Sequence, residues 1–290
     1  MIEIGVNPVA FFNVRWYGIL VALGVAVLVI WIAWHVHKDK RISIDTVMVA
    51  ALVGIPSGII VSRAIHVIDL WDYYSHNPGE IVSGMGLTIW GAILGGSLGI
   101  WITSKFTKFK FGYFADVLVP GLILAQIIGR IGCTINGCCY GEECELPWAI
   151  IYTHPETFGP TTIAVHPTTV YEIIFLAISF GIIMFLRGRL RPEGSLFFTY
   201  LGMYSAWRIA IGFTREGTDF LFGLHQAQII GIIVLALIIP VMIIKTRWGK
   251  SEMGLPEEPV DIDTPIPPDT PGIPGDRSGE EPETSENEVK

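Results

Sequence analysis

Seven apolar stretches, each close to the ~20 residues a helix needs to cross ~30 Å of hydrocarbon, leave this chain little choice of fold class. They cover residues 17–34, 46–68, 87–104, 115–131, 170–186, 195–213 and 225–244. In lipid every backbone N–H and C=O must be satisfied within the segment or in a closed barrel, and runs of this length satisfy it as helices. The expectation is an all-α polytopic membrane protein with seven transmembrane helices. Two stretches are less apolar than the rest: Asp116 and Arg130 bracket only thirteen uncharged residues in the fourth, and Glu172 opens the fifth. With 51% hydrophobic and 16% charged residues, the chain is too apolar for an ordinary soluble domain, in which ~25% are charged. No basic segment precedes the first stretch, so it is expected to remain as a helix and not to be removed as a signal peptide.

The net charge of −8 belongs to one end of the chain. Residues 251–290 hold twelve of the 27 acidic residues and only two of the 19 basic ones, which leaves 17 basic and 15 acidic in residues 1–250. The same end carries eight of the 18 prolines and few large apolar residues, too few to offset the entropy of ordering. Two parts are therefore expected: a membrane domain, 1–250, and an acidic, Pro-rich, disordered cytoplasmic tail, 251–290.

Orientation follows from the connections. Lys38, Lys40 and Arg41 follow the first stretch, Lys105, Lys108 and Lys110 the third, Arg187, Arg189 and Arg191 the fifth, and Lys245, Arg247 and Lys250 the seventh. Alternate connections carry no Lys or Arg besides Arg130, at a helix end, and Arg215. Because positive loops stay inside, the N-terminus is expected outside and the C-terminus in the cytoplasm. Arg63, Arg130 and Arg208 then lie past the midpoints of the three outward-running stretches, in the outer half of the bilayer, and Tyr17 starts the first stretch at that level.

Arginine inside a membrane is costly unless something anionic meets it, and it marks a functional site by default. A guanidinium fork fits phosphate oxygens in a bidentate way that lysine does not, so an anionic phospholipid head group is the natural occupant of a cavity lined by these residues. The alternative for Arg130 is a side chain that snorkels to the interface or pairs with a carboxylate. It sits in GRIGCTINGCCYG, residues 129–141, whose irregular glycine spacing holds no continuous helix face, so the backbone is expected to leave the helix there. Gly91, Gly95, Gly96 and Gly99 instead recur at spacings that let helices approach closely, and ordinary helix packing accounts for them.

Cys133, Cys138, Cys139 and Cys144 read C-x4-CC-x4-C, without the paired C-x2-C of a zinc ribbon, so a zinc site is the least favoured of three readings. A disulfide on the outer face and free, small apolar side chains are both open. His166 begins His-Pro-Thr-Thr-Val-Tyr-Glu172; it can serve as a base near a carboxylate, or simply cap a helix that Pro167 starts.

Arg-Trp-Tyr-Gly at 15–18, the glycine-rich third stretch, Gly-Arg-x-Gly-x-x-x-Asn-Gly at 129–137, the His166 to Glu172 run and Arg208 followed by Arg215 together resemble the prolipoprotein diacylglyceryl transferase family, in matching order from Arg15 to about Ile244. The resemblance implies transfer of the diacylglyceryl group of phosphatidylglycerol to the thiol of a lipobox cysteine in a preprolipoprotein, with release of glycerol phosphate, at the outer leaflet of the bacterial cytoplasmic membrane. It implies that Arg130 and Arg208 stabilise the departing phosphate, that Arg130, Arg63, Asn136, Gly137, Gly141 and Arg215 bind substrate, and that Tyr17 or His166 accepts the thiol proton. The expected partners are phosphatidylglycerol, the lipobox peptide and membrane lipid; nucleic acid is not among them, and no metal or organic cofactor is implied. The chain departs from the usual pattern at Cys133 (usually Asn), Cys138 (Glu), Trp90-Gly91-Ala92 (His-Gly-Gly) and Gly212 (Glu). An anionic-lipid carrier or anion transporter using the same arginines, and a relative that binds lipid without transferring it, are the rival readings.

Overall fold

The computed structural model describes residues 1–12, 14–38, 42–83, 89–107, 109–215 and 223–249. The expected tail, 251–290, lies outside the described residues. Among those described, nine helices follow in order: α1 (Trp16–Lys38), α2 (Ile44–Asp69), α3 (Trp71–His76), α4 (Glu80–Ser83), α5 (Ile89–Thr107), α6 (Phe111–Asn136), α7 (Thr168–Leu186), α8 (Ser195–Gly212) and α9 (Gln226–Lys245). The seven longest fall on the seven apolar stretches. Five of them, α1, α2, α6, α7 and α9, are long and apolar enough to cross a membrane, as befits a multi-pass membrane protein.

Local chemistry sets the helix ends. Ser43 caps α2, its Oγ accepting from the Thr46 N–H at 3.1 Å, while Asp45 complements the positive end of the helix dipole. His225 and Gln228 close a capping box at the start of α9. The start of α8 is capped from another helix: the buried Asp116 of α6 accepts the Gly194 N–H at 2.7 Å and the Phe197 N–H at 2.9 Å. One of the two charges that weakened the fourth stretch thus joins helices and satisfies donors that α8 cannot satisfy itself.

Close approach joins the helices in pairs. A Cβ on Gly91 would stand 2.3 Å from Ser62 Cα, one on Gly95 2.4 Å from Ser57 O, and one on Gly99 2.2 Å from Ser57 Oγ. Ser57 Oγ donates to Gly95 O across the same seam at 2.8 Å. The glycines of α5 are therefore packing residues against α2, in agreement with the ordinary reading of their spacing. α1 lies on α6, where Gly24 meets the Ala125 backbone and Trp31 covers Gly121, its Nε1 donating to Val117 O at 3.1 Å.

Two expectations need amendment. The helix does not break among the glycines at 129–132; α6 runs through them to Asn136 and stops at Gly137, whose left-handed φ of 73° terminates it. The all-α reading also missed a small β element beside the helix ends. β1 (Ile2–Ile4), β2 (Val9–Phe11) and β3 (Val14–Arg15) precede α1, and β4 (Ile150–Tyr152) lies between α6 and α7. β1 pairs with β4 in parallel, and β2 with β3 antiparallel. Ile150, Tyr152 and Val165 form a buried cluster with Ile4 and Tyr140 against them, so the segment joining α6 to α7 is a folded cap with a core of its own.

Candidate active site

The cap is anchored at the end of α6. The backbone N–H groups of Gly137 and Cys138 both converge on Cys133 O, which turns the chain back over the last helical turn. Gly137 is required there twice over: its φ is left-handed, and a Cβ would lie 2.1 Å from Thr157 Oγ1. Gly141 is equally confined, since a Cβ would meet Thr214 O at 2.3 Å and His166 Cβ at 2.7 Å. Gly141 bridges Arg215, and its N–H donates to His166 O at 3.0 Å. These glycines bind the cap to the starts of α7 and the end of α8; their contribution to the site is close backbone packing.

Beneath the cap, Arg130 of α6 is 9% exposed and Glu172 of α7 2%. Arg130 Nη2 stands 2.8 Å from Glu172 Oε1, and Tyr204 of α8 donates to the same oxygen at 3.2 Å. One helical turn beyond Tyr204, Arg208 turns its Nη1 into the interior, where it is buried and meets no acceptor among the described residues. Tyr204 lies within electrostatic reach of Glu172, Arg208 and Arg130 together. Arg130, Glu172 and Arg208 sum to one positive charge in a site withdrawn from water. An unsatisfied buried donor is unfavourable by about 1–3 kcal/mol, and more for a charged group, so the arrangement is suited to an incoming oxyanion.

Asn136 lies at the other side of the same helix end, 5% exposed. Its Oδ1 accepts from Arg15 Nη1 at 2.9 Å; Arg15 also donates to Glu156 O at 3.2 Å and lies 4.0 Å over the Phe158 ring. Tyr17 packs its backbone on Gly132, and its hydroxyl lies within electrostatic reach of Arg130 and of the Cys133, Cys138 and Cys139 thiols. Arg130, Arg208, Asn136 and Tyr17 are thus gathered round one helix end, with Arg215 close enough for its charge to act on Cys139.

Two expected residues have other company. Arg63 donates through Nε to Ile81 O at 2.9 Å and through Nη2 to Glu80 O at 2.5 Å, with its guanidinium 5.2 Å from the Tyr74 ring; it shares none of these partners with Arg130. His166 Nδ1 faces the Tyr171 hydroxyl at 3.4 Å, and Glu172, the carboxylate its spacing offered, turns instead to Arg130. Three residues escaped sequence reasoning. Glu172 was visible as a charge in an apolar helix, Tyr204 lies on the Arg208 face one turn earlier, and Arg15 opens the Arg-Trp-Tyr-Gly run without a role being given to it.

All four cysteines are free. Cys133, Cys138 and Cys139 nevertheless bring their Sγ atoms within 4.8 Å of one another, and Arg130 Nη1 points at Cys133 Sγ from 3.9 Å. Hydrogen bonds from Cys133 and Cys138, aided by the charges of Arg130 and Arg215, hold the Cys139 thiol far below the usual thiol range despite its burial.

The family model for prolipoprotein diacylglyceryl transferase matches residues 6–244. The chain belongs to that family. A phosphatidylglycerol–prolipoprotein diacylglyceryl transferase of Dehalococcoides mccartyi is 52% identical over 254 residues, covering 86% of this chain and 98% of that protein. One of Clostridioides difficile is 36% identical over 76% of this chain and 86% of that protein, and one of Lysinibacillus sphaericus is 34% identical over 79% and 88%.

Within the diacylglyceryl transferase family, two of the departures in this sequence have structural counterparts. A Cβ on Gly212 would lie 2.5 Å from Gln228 Cδ. Gln228, buried in α9, donates to Ile209 O at 3.1 Å and accepts the His225 N–H at 2.8 Å, so an amide from the next helix fills the space where the family usually has a glutamate. Gly91 is pressed on the Ser62 backbone of α2, which fixes the course of α5 at Trp90-Gly91-Ala92.

Proposed function

We propose that this chain transfers the diacylglyceryl group of phosphatidylglycerol to the lipobox cysteine thiol of preprolipoproteins, releasing glycerol phosphate. The observation that carries the reading is the Arg130–Glu172–Tyr204 cluster with the unpartnered Nη1 of Arg208 beside it. Its single net positive charge complements the single negative charge of a phosphodiester, and it opposes the second negative charge that develops as the ester bond breaks. The substrate thiolate forms a C–S bond to the terminal glyceryl carbon while the C–O bond to phosphate breaks, its electron pair leaving with glycerol phosphate. Glu172 and Tyr204 hold Arg130 in position; Arg208, with a donor to spare, meets a phosphate oxygen. Asn136, fixed by Arg15, and the glycines at 137 and 141 shape the outer wall, and Tyr17 is the candidate for contact with the thiol.

The site faces the outer leaflet of the bacterial cytoplasmic membrane, in a seven-span arrangement with the N-terminus outside. The basic residues that follow α1, α5, α7 and α9 support that orientation, and the seven long helices support the count. Purified protein given vesicles containing phosphatidylglycerol and a lipobox peptide tests the reaction by peptide mass. A diacylglyceryl increment supports it. Lipid moved between vesicles with the peptide unmodified overturns it in favour of a carrier, and lipid bound but unchanged in favour of a relative without transfer.

A further inference from the structure

The three clustered thiols were not offered by the spacing of the sequence, which separates Cys133 from Cys138 and Cys139 by a helix terminus. The fold removes that separation. The Gly137 cap reverses the chain, Cys138 donates its N–H back to Cys133 O at 3.1 Å, and Cys139 takes a left-handed φ of 61°, a conformation that costs a non-glycine residue about 1–2 kcal/mol. Thr168 Oγ1 donates to Cys139 O and holds the strained residue from α7. Strain maintained at one residue of a site is a mark of function, and here it serves to turn a third sulfur toward the other two.

From this geometry we propose that Cys133, Cys138 and Cys139 form a three-thiolate site for a zinc ion, whose remaining coordination position takes the thiol of the incoming peptide. The proposal rests on the transferase reading above. Three sulfurs about 2.3 Å from one ion at tetrahedral angles stand about 3.8 Å apart, so sulfurs within 4.8 Å of one another need to close by at most about 1 Å. Thiolates select soft or borderline ions, zinc foremost among those without redox chemistry. Three protein ligands and one open position are the pattern of a zinc that acts on a substrate. Cys133 is buried while Cys138 and Cys139 are partly exposed, which leaves the outer side of the cluster accessible. Three thiolates around a divalent ion carry one negative charge, and Arg215, close enough for its charge to act on Cys139, is placed to balance it, while Arg130 stays paired with Glu172.

The chemistry closes without another reactant. The peptide thiol loses its proton to water on meeting the ion, because a metal-coordinated thiol is deprotonated outright. The bound sulfur then supplies the electron pair for the C–S bond, and the C–O pair departs with glycerol phosphate. A free thiol of pKa ~8.5 is only about 3% ionised at pH 7, so coordination raises the reactive fraction by about thirtyfold.

Full-length protein in detergent, reduced and freed of metal, is titrated with Zn²⁺ and separately with Co²⁺. One ion per chain is expected, with a thiolate-to-cobalt charge-transfer band. Cys133→Ser, Cys138→Ser and Cys139→Ser should lose it, and Cys144→Ser should keep both ion and transfer. Stripping the zinc should lower transfer at pH 7 by at least about thirtyfold, and Zn²⁺ should restore it. Normal transfer with reduced, metal-free thiols overturns the proposal and leaves the transferase reading standing. The absence of any cobalt band also overturns it. Transfer missing from every preparation, loaded or stripped, overturns the transferase reading and the activating role together, while the cobalt band still decides the metal site.

Discussion

The guanidinium of Arg130 and the carboxylate of Glu172 meet at 2.8 Å between α6 and α7, both side chains nearly out of reach of solvent. Such a pair holds a geometry more than it adds stability, because desolvation offsets most of the attraction. If Arg130 also directs hydrogen bonds at a lipid phosphate, charge alone cannot replace it. Arg130→Lys should then be nearly as damaging as Arg130→Ala. With charge-assisted bonds contributing roughly 1.5–3 kcal/mol each, losing one or two lowers transfer about tenfold to several-thousandfold. Normal transfer by a stably inserted Arg130→Lys would reduce the arginine to a structural anchor.

Glu172→Gln leaves a buried guanidinium without its counter-charge, a change that costs about 3–5 kcal/mol for buried pairs. The variant should melt earlier in detergent, with the loss of transfer accompanying the loss of stability. A thermal unfolding curve identical to that of the unaltered protein would contradict the burial described for the pair.

Arg208 should behave in the opposite way. Its Nη1 is buried without an acceptor, so Arg208→Met removes an unfavourable group and should leave the melting temperature unchanged or raised. Transfer should fall about tenfold or more, the worth of one charged hydrogen bond. A variant both destabilised and fully active would show that the guanidinium has structural partners and no part in binding phosphate.

How much of this was legible in the sequence depended on whether the signal was local. Helices declare themselves by apolar length, so all seven long ones fall on the expected stretches. Position along a helix is also local, and it sets Arg63, Arg130 and Arg208 past the midpoints of their stretches. The direction each faces around its axis is not local, and Arg63 turns to the carbonyls of Glu80 and Ile81. Glu172 stood out as a charge in the fifth stretch, yet spacing favoured His166 as its neighbour over an arginine 42 positions earlier. The Arg15–Asn136 bond spans 121 positions, and nothing near either residue announces the other. The cysteine cluster stayed hidden because a helix cap, and not the interval between cysteines, determines where the sulfurs meet.

Gln228 and Gly212 offer a compensation test. Gly212→Glu places its side chain on the Gln228 amide, where even a Cβ lies 2.5 Å away, and overpacking a buried seam costs about 1–3 kcal/mol. The single variant should be destabilised, and adding Gln228→Gly should recover much of the loss. Equal stability of single and double variants would show that the two side chains do not compete for the same space.

The orientation can be read directly. In a single-cysteine background, Ser75→Cys should react with an impermeant thiol reagent applied to intact cells and Lys110→Cys should not, both positions being exposed. The reverse pattern would put the arginine site at the inner leaflet.

The parallel pairing of β1 with β4 sets a schedule for biogenesis. Ile2 bonds in register with Ile150, so the first strand leaves the ribosome about 150 residues before its partner exists. At ~5–20 residues per second that interval is about 7–30 s, during which α1 to α6 are synthesised and the first strand has no mate. The cap is therefore completed only after α1 to α6 have been made, and a chain stalled before Tyr152 holds those helices with its first strand unpaired and without α7 and α8, which bring Glu172, Tyr204 and Arg208 to the site.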